Sequence, residues 1–81
     1  MSNTMNETAK AAKQKAGSWW GTQAYTNPLV PGLRRYRLVR YTVGVQGISF
    51  FGRPIYKQRA EAQPVADERN ERLIEQAEQA S

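Results

Sequence analysis

The sequence predicts a mainly α-helical chain that is not an independent globule. We expect an N-terminal amphipathic helix, an extended connector rich in proline and glycine, one short central helix of the membrane type and a polar C-terminal helix. Apolar residues recur at helical spacing across residues 38–55, and cations border the uncharged residues 41–52. With 81 residues and a mean hydropathy of −0.74, the chain also has little apolar surface from which to build a core.

The composition excludes several classes of function. The chain contains neither cysteine nor histidine, which rules out disulfides, zinc fingers, iron–sulfur ligation and histidine-based catalysis. No nucleophilic side chain stands at a sequence spacing that would pair it with a general base. Gly44-Val-Gln-Gly47 is not a dinucleotide-binding fingerprint. We therefore expect no catalytic, cofactor or metal site and no small-molecule substrate.

Residues 1–20 are predicted to form a basic amphipathic segment. Thr4 and Glu7 fit a capping box that opens a helix over residues 4–16, and Gly17 is suited to end it. Trp19 and Trp20 follow as large amphipathic anchors. Two interpretations stay open: the helix lies on an anionic membrane with its tryptophans among the headgroups, or it is solvated and its tryptophans insert into a neighbouring subunit.

Residues 21–33 are predicted to be an extended connector. Asn27-Pro28 and Pro31-Gly32 are turn dipeptides, and a residue that precedes proline is disfavoured in the helical conformation. The segment carries no charge, so we expect it to lie against another surface rather than fold on itself.

Residues 34–59 are the candidate membrane helix. Leu38, Tyr41, Val45 and Ile48 follow helical spacing, and the 21 residues from Tyr36 to Tyr56 would span about 31 Å as a helix. The uncharged part is only 12 residues, however, or about 18 Å. This length is too short for independent insertion, so we expect neighbouring membrane helices to hold the segment.

Two alternatives compete for the same segment. The β-branched and aromatic residues between Thr42 and Phe51 favour strands, with Gln46-Gly47 as the turn of a hairpin. A buried helix inside a soluble complex is the other alternative.

Residues 60–81 are predicted to be an acidic polar tail. Pro64 is expected to break the chain, and Asp67 and Glu68 to open a helix whose only apolar patch contains Leu73 and Ile74. The helix is either solvated or docks into a basic or apolar groove.

The charges divide sharply along the chain. Residues 34–59 carry seven cations and no anion, whereas residues 60–81 carry six acids against two arginines. Guanidinium groups interleaved with tyrosines bind phosphates, lipid headgroups or acidic proteins. The residues expected to bind lipid or a partner are Trp19, Trp20, Arg34, Arg35, Arg37, Arg40, Tyr41, Phe50, Phe51 and Arg53.

Together these features predict a small basic accessory subunit of a larger membrane protein complex, structural rather than catalytic. The expected host is an organellar energy-converting or translocating complex, and the expected location is the mitochondrial inner membrane. We expect the chain to cross this membrane once and to have no secretory signal peptide. The expected partners are the other subunits, with anionic lipid headgroups as further ligands and nucleic acid ranked behind them. The alternatives are an RNA-binding subunit of a ribonucleoprotein such as a ribosome, or a small soluble adaptor that docks by a hairpin.

Overall fold

The protein is a mixed α/β structure, so the prediction of a mainly α-helical chain is wrong. A computed structural model describes residues 6–80. They form two helices and a three-stranded antiparallel sheet with the strand order β1-β2-β3. The elements are α1 (Glu7–Ala16), β1 (Ser18–Thr26), β2 (Arg34–Thr42), β3 (Phe50–Phe51) and α2 (Arg59–Ala80).

Strands β1 and β2 form a long hairpin. Their register runs without interruption from Ser18 opposite Thr42 to Thr26 opposite Arg34. Asn27 begins the connecting turn: its carbonyl oxygen accepts a hydrogen bond from Val30 N–H at 3.0 Å, and its side-chain oxygen accepts one from Leu29 N–H at 2.9 Å. Residues 21–26 of the expected connector are therefore a paired strand, because β2 satisfies the backbone groups that an unpaired segment would expose, and residues 27–33 form the turn.

The central membrane-type helix predicted over residues 34–59 does not form. Residues 34–42 are β2, residues 50–51 are β3, and Gly44 and Gly47 lie between them with φ angles of 90° and 76°. Such left-handed conformations suit glycine and interrupt a right-handed helix. In β2, Tyr36, Leu38 and Arg40 point to one face of the sheet and the residues between them point to the other. Pairing with β1 stabilises this strand conformation over the helical one.

Among residues 6–80, no helix combines the length and apolar character needed to cross a lipid bilayer. The longest helix, α2, spans 22 residues but carries charges along its whole length.

Helix α1 begins two to three residues later than predicted. Asn6 is its N-cap and accepts a hydrogen bond from Ala9 N–H at 3.0 Å, whereas Thr4 lies outside the described residues. Gly17 ends the helix with a φ of 75°, and its N–H donates to the Lys13 carbonyl oxygen at 3.1 Å. This end is the one predicted for the helix, since a left-handed C-terminal residue favours glycine.

Helix α2 begins at Arg59 and continues through Pro64. The prediction that Pro64 interrupts the helical segment is therefore wrong. The Glu61 carboxylate accepts hydrogen bonds from the backbone N–H groups of Lys57 and Gln58 at 3.0 and 3.4 Å, and so stabilises the first turn. Ala62 and Ala66 are fully buried and pack against Leu38 of β2. The helix and the sheet therefore share a small core, in contrast to the expectation that the chain is not an independent globule.

Helix α2 also covers the outer edge of β1. Asn70 is fully buried, accepts a hydrogen bond from Trp20 N–H at 2.6 Å and donates one to the Trp20 carbonyl oxygen at 3.0 Å. One side-chain amide thus supplies both bonds that a further strand would have made. This contact protects an otherwise free edge of the sheet.

Candidate nucleic-acid interface

The sheet presents two chemically different faces. Successive residues of a strand point to opposite faces, and residues paired across two strands point to the same face. We call the side that packs on α2 the helix face and the opposite side the aromatic face. On the helix face lie Trp20, Tyr36, Leu38, Arg40 and Phe50; on the aromatic face lie Trp19, Gly21, Gln23, Tyr25, Arg35, Arg37, Val39, Tyr41 and Phe51.

Two stacked rings occupy one half of the aromatic face. The ring centroids of Trp19 and Tyr41 are 5.1 Å apart with an interplanar angle of 17°. A Cβ atom on Gly21 would lie 3.3 Å from the Tyr41 ring, so the glycine leaves room for that ring. The Lys13 ammonium lies 5.2 Å from the Trp19 ring centroid. Both rings are partly exposed, which leaves aromatic surface available to a ligand.

Arg37 occupies the other half of this face, between two rings. Its guanidinium carbon lies 5.3 Å from the Tyr25 ring centroid and 4.5 Å from that of Phe51. Its Nε donates a hydrogen bond to the Gln23 side-chain oxygen at 2.8 Å. Phe51 is 52% exposed. Held by these contacts, the guanidinium keeps a fixed plane beside an accessible ring, a geometry that suits both phosphate binding and base stacking.

The helix face carries a cleft next to its core. Trp20 and Phe50 make an edge-to-face contact at 5.9 Å and both border two adjoining cavities of about 290 and 260 Å³. The Arg69 guanidinium lies 4.7 Å from the Trp20 ring centroid, and that of Arg40 lies 5.8 Å from it. Arg53 also lines the cleft.

The charge distribution makes the sheet a cationic layer. Residues 18–58 contain six cations and no acid, whereas residues 59–80 contain six acids and three arginines. The ion pairs of the described residues are Lys15 with Glu78 and Arg72 with Glu68. None of the sheet arginines is thus neutralised by a carboxylate within residues 6–80, and their field favours a polyanionic partner.

The structure places the ten residues predicted to bind a partner at three locations. Trp19, Arg35, Arg37, Tyr41 and Phe51 share the aromatic face; Trp20, Arg40, Phe50 and Arg53 surround the cleft; Arg34 begins β2 and is exposed.

Sequence reasoning missed Gln23, Tyr25 and Arg69. The alternation of Trp19, Gly21, Gln23 and Tyr25 was a usable signal for the first two. No local pattern connects Arg69 with Trp20, because they are 49 residues apart.

The aromatic rings and guanidinium groups of both faces suit binding. Within residues 6–80 no three acidic side chains come together as potential metal ligands. No family model, curated protein or solved structure matches the chain.

Proposed function

We propose that this protein is a non-catalytic RNA-binding subunit that holds single-stranded RNA against the aromatic face of its sheet. The observation that carries the proposal is the placement of Arg37 between Tyr25 and the half-exposed Phe51, at 5.3 and 4.5 Å. Proteins that bind single strands combine cations, which neutralise phosphates, with aromatic rings, on which unpaired bases stack.

The second half of the face supports the same function. A base that stacks on Trp19 would displace the Lys13 ammonium, which lies 5.2 Å from the ring centroid. The lysine side chain is flexible and would then neutralise the adjacent phosphate. A duplex hides the faces of its bases within the helix, so this mode of binding selects single strands.

The first prediction concerns the strength and salt dependence of RNA binding. Lys13, Arg35 and Arg37 are the cations at this face. If each neutralises one phosphate, log K should fall against log salt concentration with a slope of about −2. Replacement of Arg37 by glutamine should weaken binding about tenfold and make the slope less steep by about 0.7. Fluorescence anisotropy with a labelled uridine oligonucleotide of about 12 nucleotides measures both quantities.

Arg72→Gln is the matched control, because it removes the same charge from α2, where Arg72 pairs with Glu68 at 3.1 Å. Arg37→Lys separates charge from geometry: it should retain the slope and lose affinity. If Arg37→Gln and Arg72→Gln weakened RNA binding equally, with unchanged circular dichroism, net charge alone would explain the loss of affinity. That result would refute the aromatic face as the RNA-binding surface. Equal affinity for duplex RNA would refute the selection of single strands.

An accessory role at a membrane complex is the second candidate function, and the tip of the β1–β2 hairpin favours it. Leu29, Val30 and Leu33 are 88%, 47% and 38% exposed, and several exposed apolar side chains in one turn suit contact with a protein or a lipid. In this case the chain would bind peripherally, and the mitochondrial inner membrane would be its location.

Sedimentation with anionic phospholipid vesicles separates the two candidates. Membrane attachment through the tip predicts that the protein stays with vesicles at high salt and that Leu29→Ser releases it. The RNA-binding proposal predicts release of bound oligonucleotide by salt and no effect of Leu29→Ser on RNA affinity.

A further inference from the structure

The cleft on the helix face has the size and surroundings of a small ligand site. The cleft lies beside the core that Leu38 forms with α2. It consists of two adjoining cavities of about 290 and 260 Å³, both lined by Trp20 and Phe50. Each volume is close to the lower bound of about 300 Å³ for ligand pockets. Phe50 is 52% exposed, so one of the two rings is accessible from solvent.

The cleft also holds cationic groups whose bonding capacity is not filled. Arg40 donates from Nη2 to the Ser18 hydroxyl at 3.0 Å, and its Nε is buried without a hydrogen-bond partner in residues 6–80. Arg53 and Arg69 have no carboxylate within ion-pair distance in the same range. Arg53 and Arg69 line one of the two cavities and Arg40 lines the other. A pair of guanidinium groups at one cavity favours an anion with several oxygens, and a phosphate accepts their forked hydrogen bonds well.

We propose that this cleft binds a phosphorylated nucleoside, with the base against Phe50 and Trp20 and the phosphate at the guanidinium groups of Arg53 and Arg69, which line the same cavity. The hydroxyl oxygens of Thr42 and Ser49 are 3.1 Å apart at the end of the cleft near Arg40, and Ser49 donates its hydrogen to the Arg40 carbonyl oxygen at 2.9 Å, so the pair offers acceptors to the base or sugar. The ligand is either a free nucleotide or the phosphorylated end of a strand. The site lies on the face opposite the proposed RNA surface and does not depend on it.

Adjacent tryptophans allow the two faces to be observed separately. Trp19 lies on the aromatic face and Trp20 at the cleft, so Trp19→Phe leaves a fluorophore that reports on the cleft alone. Titration of this variant with adenosine monophosphate should quench its fluorescence. Adenosine and inorganic phosphate should each bind at least about tenfold more weakly, because each lacks one of the two recognised groups.

Arg53→Gln in the Trp19→Phe background should weaken adenosine monophosphate binding about tenfold. Arg34→Gln is the matched control, since Arg34 is exposed at the start of β2 and lines neither cavity. If Trp19→Phe perturbs folding, the indole N–H resonances of the unmodified protein provide the same information: adenosine monophosphate should shift that of Trp20 and leave that of Trp19 in place.

Comparison of an oligonucleotide with and without a 5′ phosphate distinguishes the two sources of ligand. If the ligand is the end of a strand, the 5′ phosphate should strengthen oligonucleotide binding at the cleft, as measured by Trp20 fluorescence. If the ligand is a free nucleotide, neither oligonucleotide should quench Trp20. Equal binding of nucleotide, nucleoside and phosphate, or equal effects of Arg53→Gln and Arg34→Gln, would overturn the site. The reciprocal Trp20→Phe protein reports RNA binding at the aromatic face, so failure of either proposal is recognised independently.

Discussion

Replacement of Asn70 by leucine is expected to lower the free energy of unfolding by about 2–4 kcal/mol, because it leaves two buried backbone groups without partners. Asn70 is fully buried, and its amide bonds to both the N–H and the carbonyl oxygen of Trp20, at 2.6 and 3.0 Å. Leucine has a similar size and neither donates nor accepts. Urea denaturation, with the midpoint and slope fitted together, measures the loss.

The neighbouring Glu71→Leu variant is the control for this measurement. Glu71 is exposed, so its replacement should change the unfolding free energy by no more than about 0.5 kcal/mol. If Asn70→Leu proved as stable as the unmodified protein, the contact between α2 and the edge of β1 would not contribute to the fold. Asn70→Asp should also be destabilising, since it keeps the acceptor for Trp20 N–H but buries a carboxylate and sets one of its oxygens against the Trp20 carbonyl oxygen.

Replacement of Gly52 by alanine should destabilise the protein by about 1–3 kcal/mol through overpacking. A Cβ atom at this position would lie 2.8 Å from the carbonyl oxygen of Leu38, which accepts the Gly52 N–H bond at 2.7 Å. The backbone cannot move away without losing that bond and separating the chain from β2 just after β3. Thermal and urea denaturation measure the change, and near-ultraviolet circular dichroism should register the altered setting of Phe50 and Phe51.

Gly32→Ala is the matched control for Gly52→Ala. Gly32 lies in the turn between β1 and β2, has no positive φ, and would place its Cβ in open space. Its replacement should be neutral or slightly stabilising, because alanine has less conformational freedom in the unfolded chain. Equal effects at the two glycines would show that the close approach at Leu38 does not constrain the packing of β3.

The misassignment of residues 34–59 has a specific physical cause. Leu38 and Tyr41 are three residues apart and would share a face of a helix, but in β2 they point to opposite faces of the sheet. Both periods can be read from the same apolar residues. The choice depended on β1, whose residues supply an uninterrupted set of hydrogen-bonding partners from Ser18 to Thr26. An isolated segment contains no information about a partner strand.

Most residues of the two proposed binding surfaces, but not their arrangement in space, were predictable from the sequence. The five arginines and five of the aromatic side chains in residues 18–58 were predicted from composition and charge, whereas Tyr25 was not. Their division between two faces follows from strand alternation, which requires the strands to be known first. Consecutive residues such as Trp19 and Trp20, taken as one anchor from the sequence, belong to two different surfaces.

The sequence by itself determined the features that act over a few residues: the end of α1 at Gly17, the cationic character of residues 18–58 and the acidic character of α2. Only the tertiary structure decided the sheet, the cleft and the contact of Asn70 with Trp20, which are 50 residues apart. A cap or a charge run depends on neighbours along the chain. Strand pairing and burial depend instead on groups brought together by folding, and local propensity yields to those contacts when they satisfy buried hydrogen bonds.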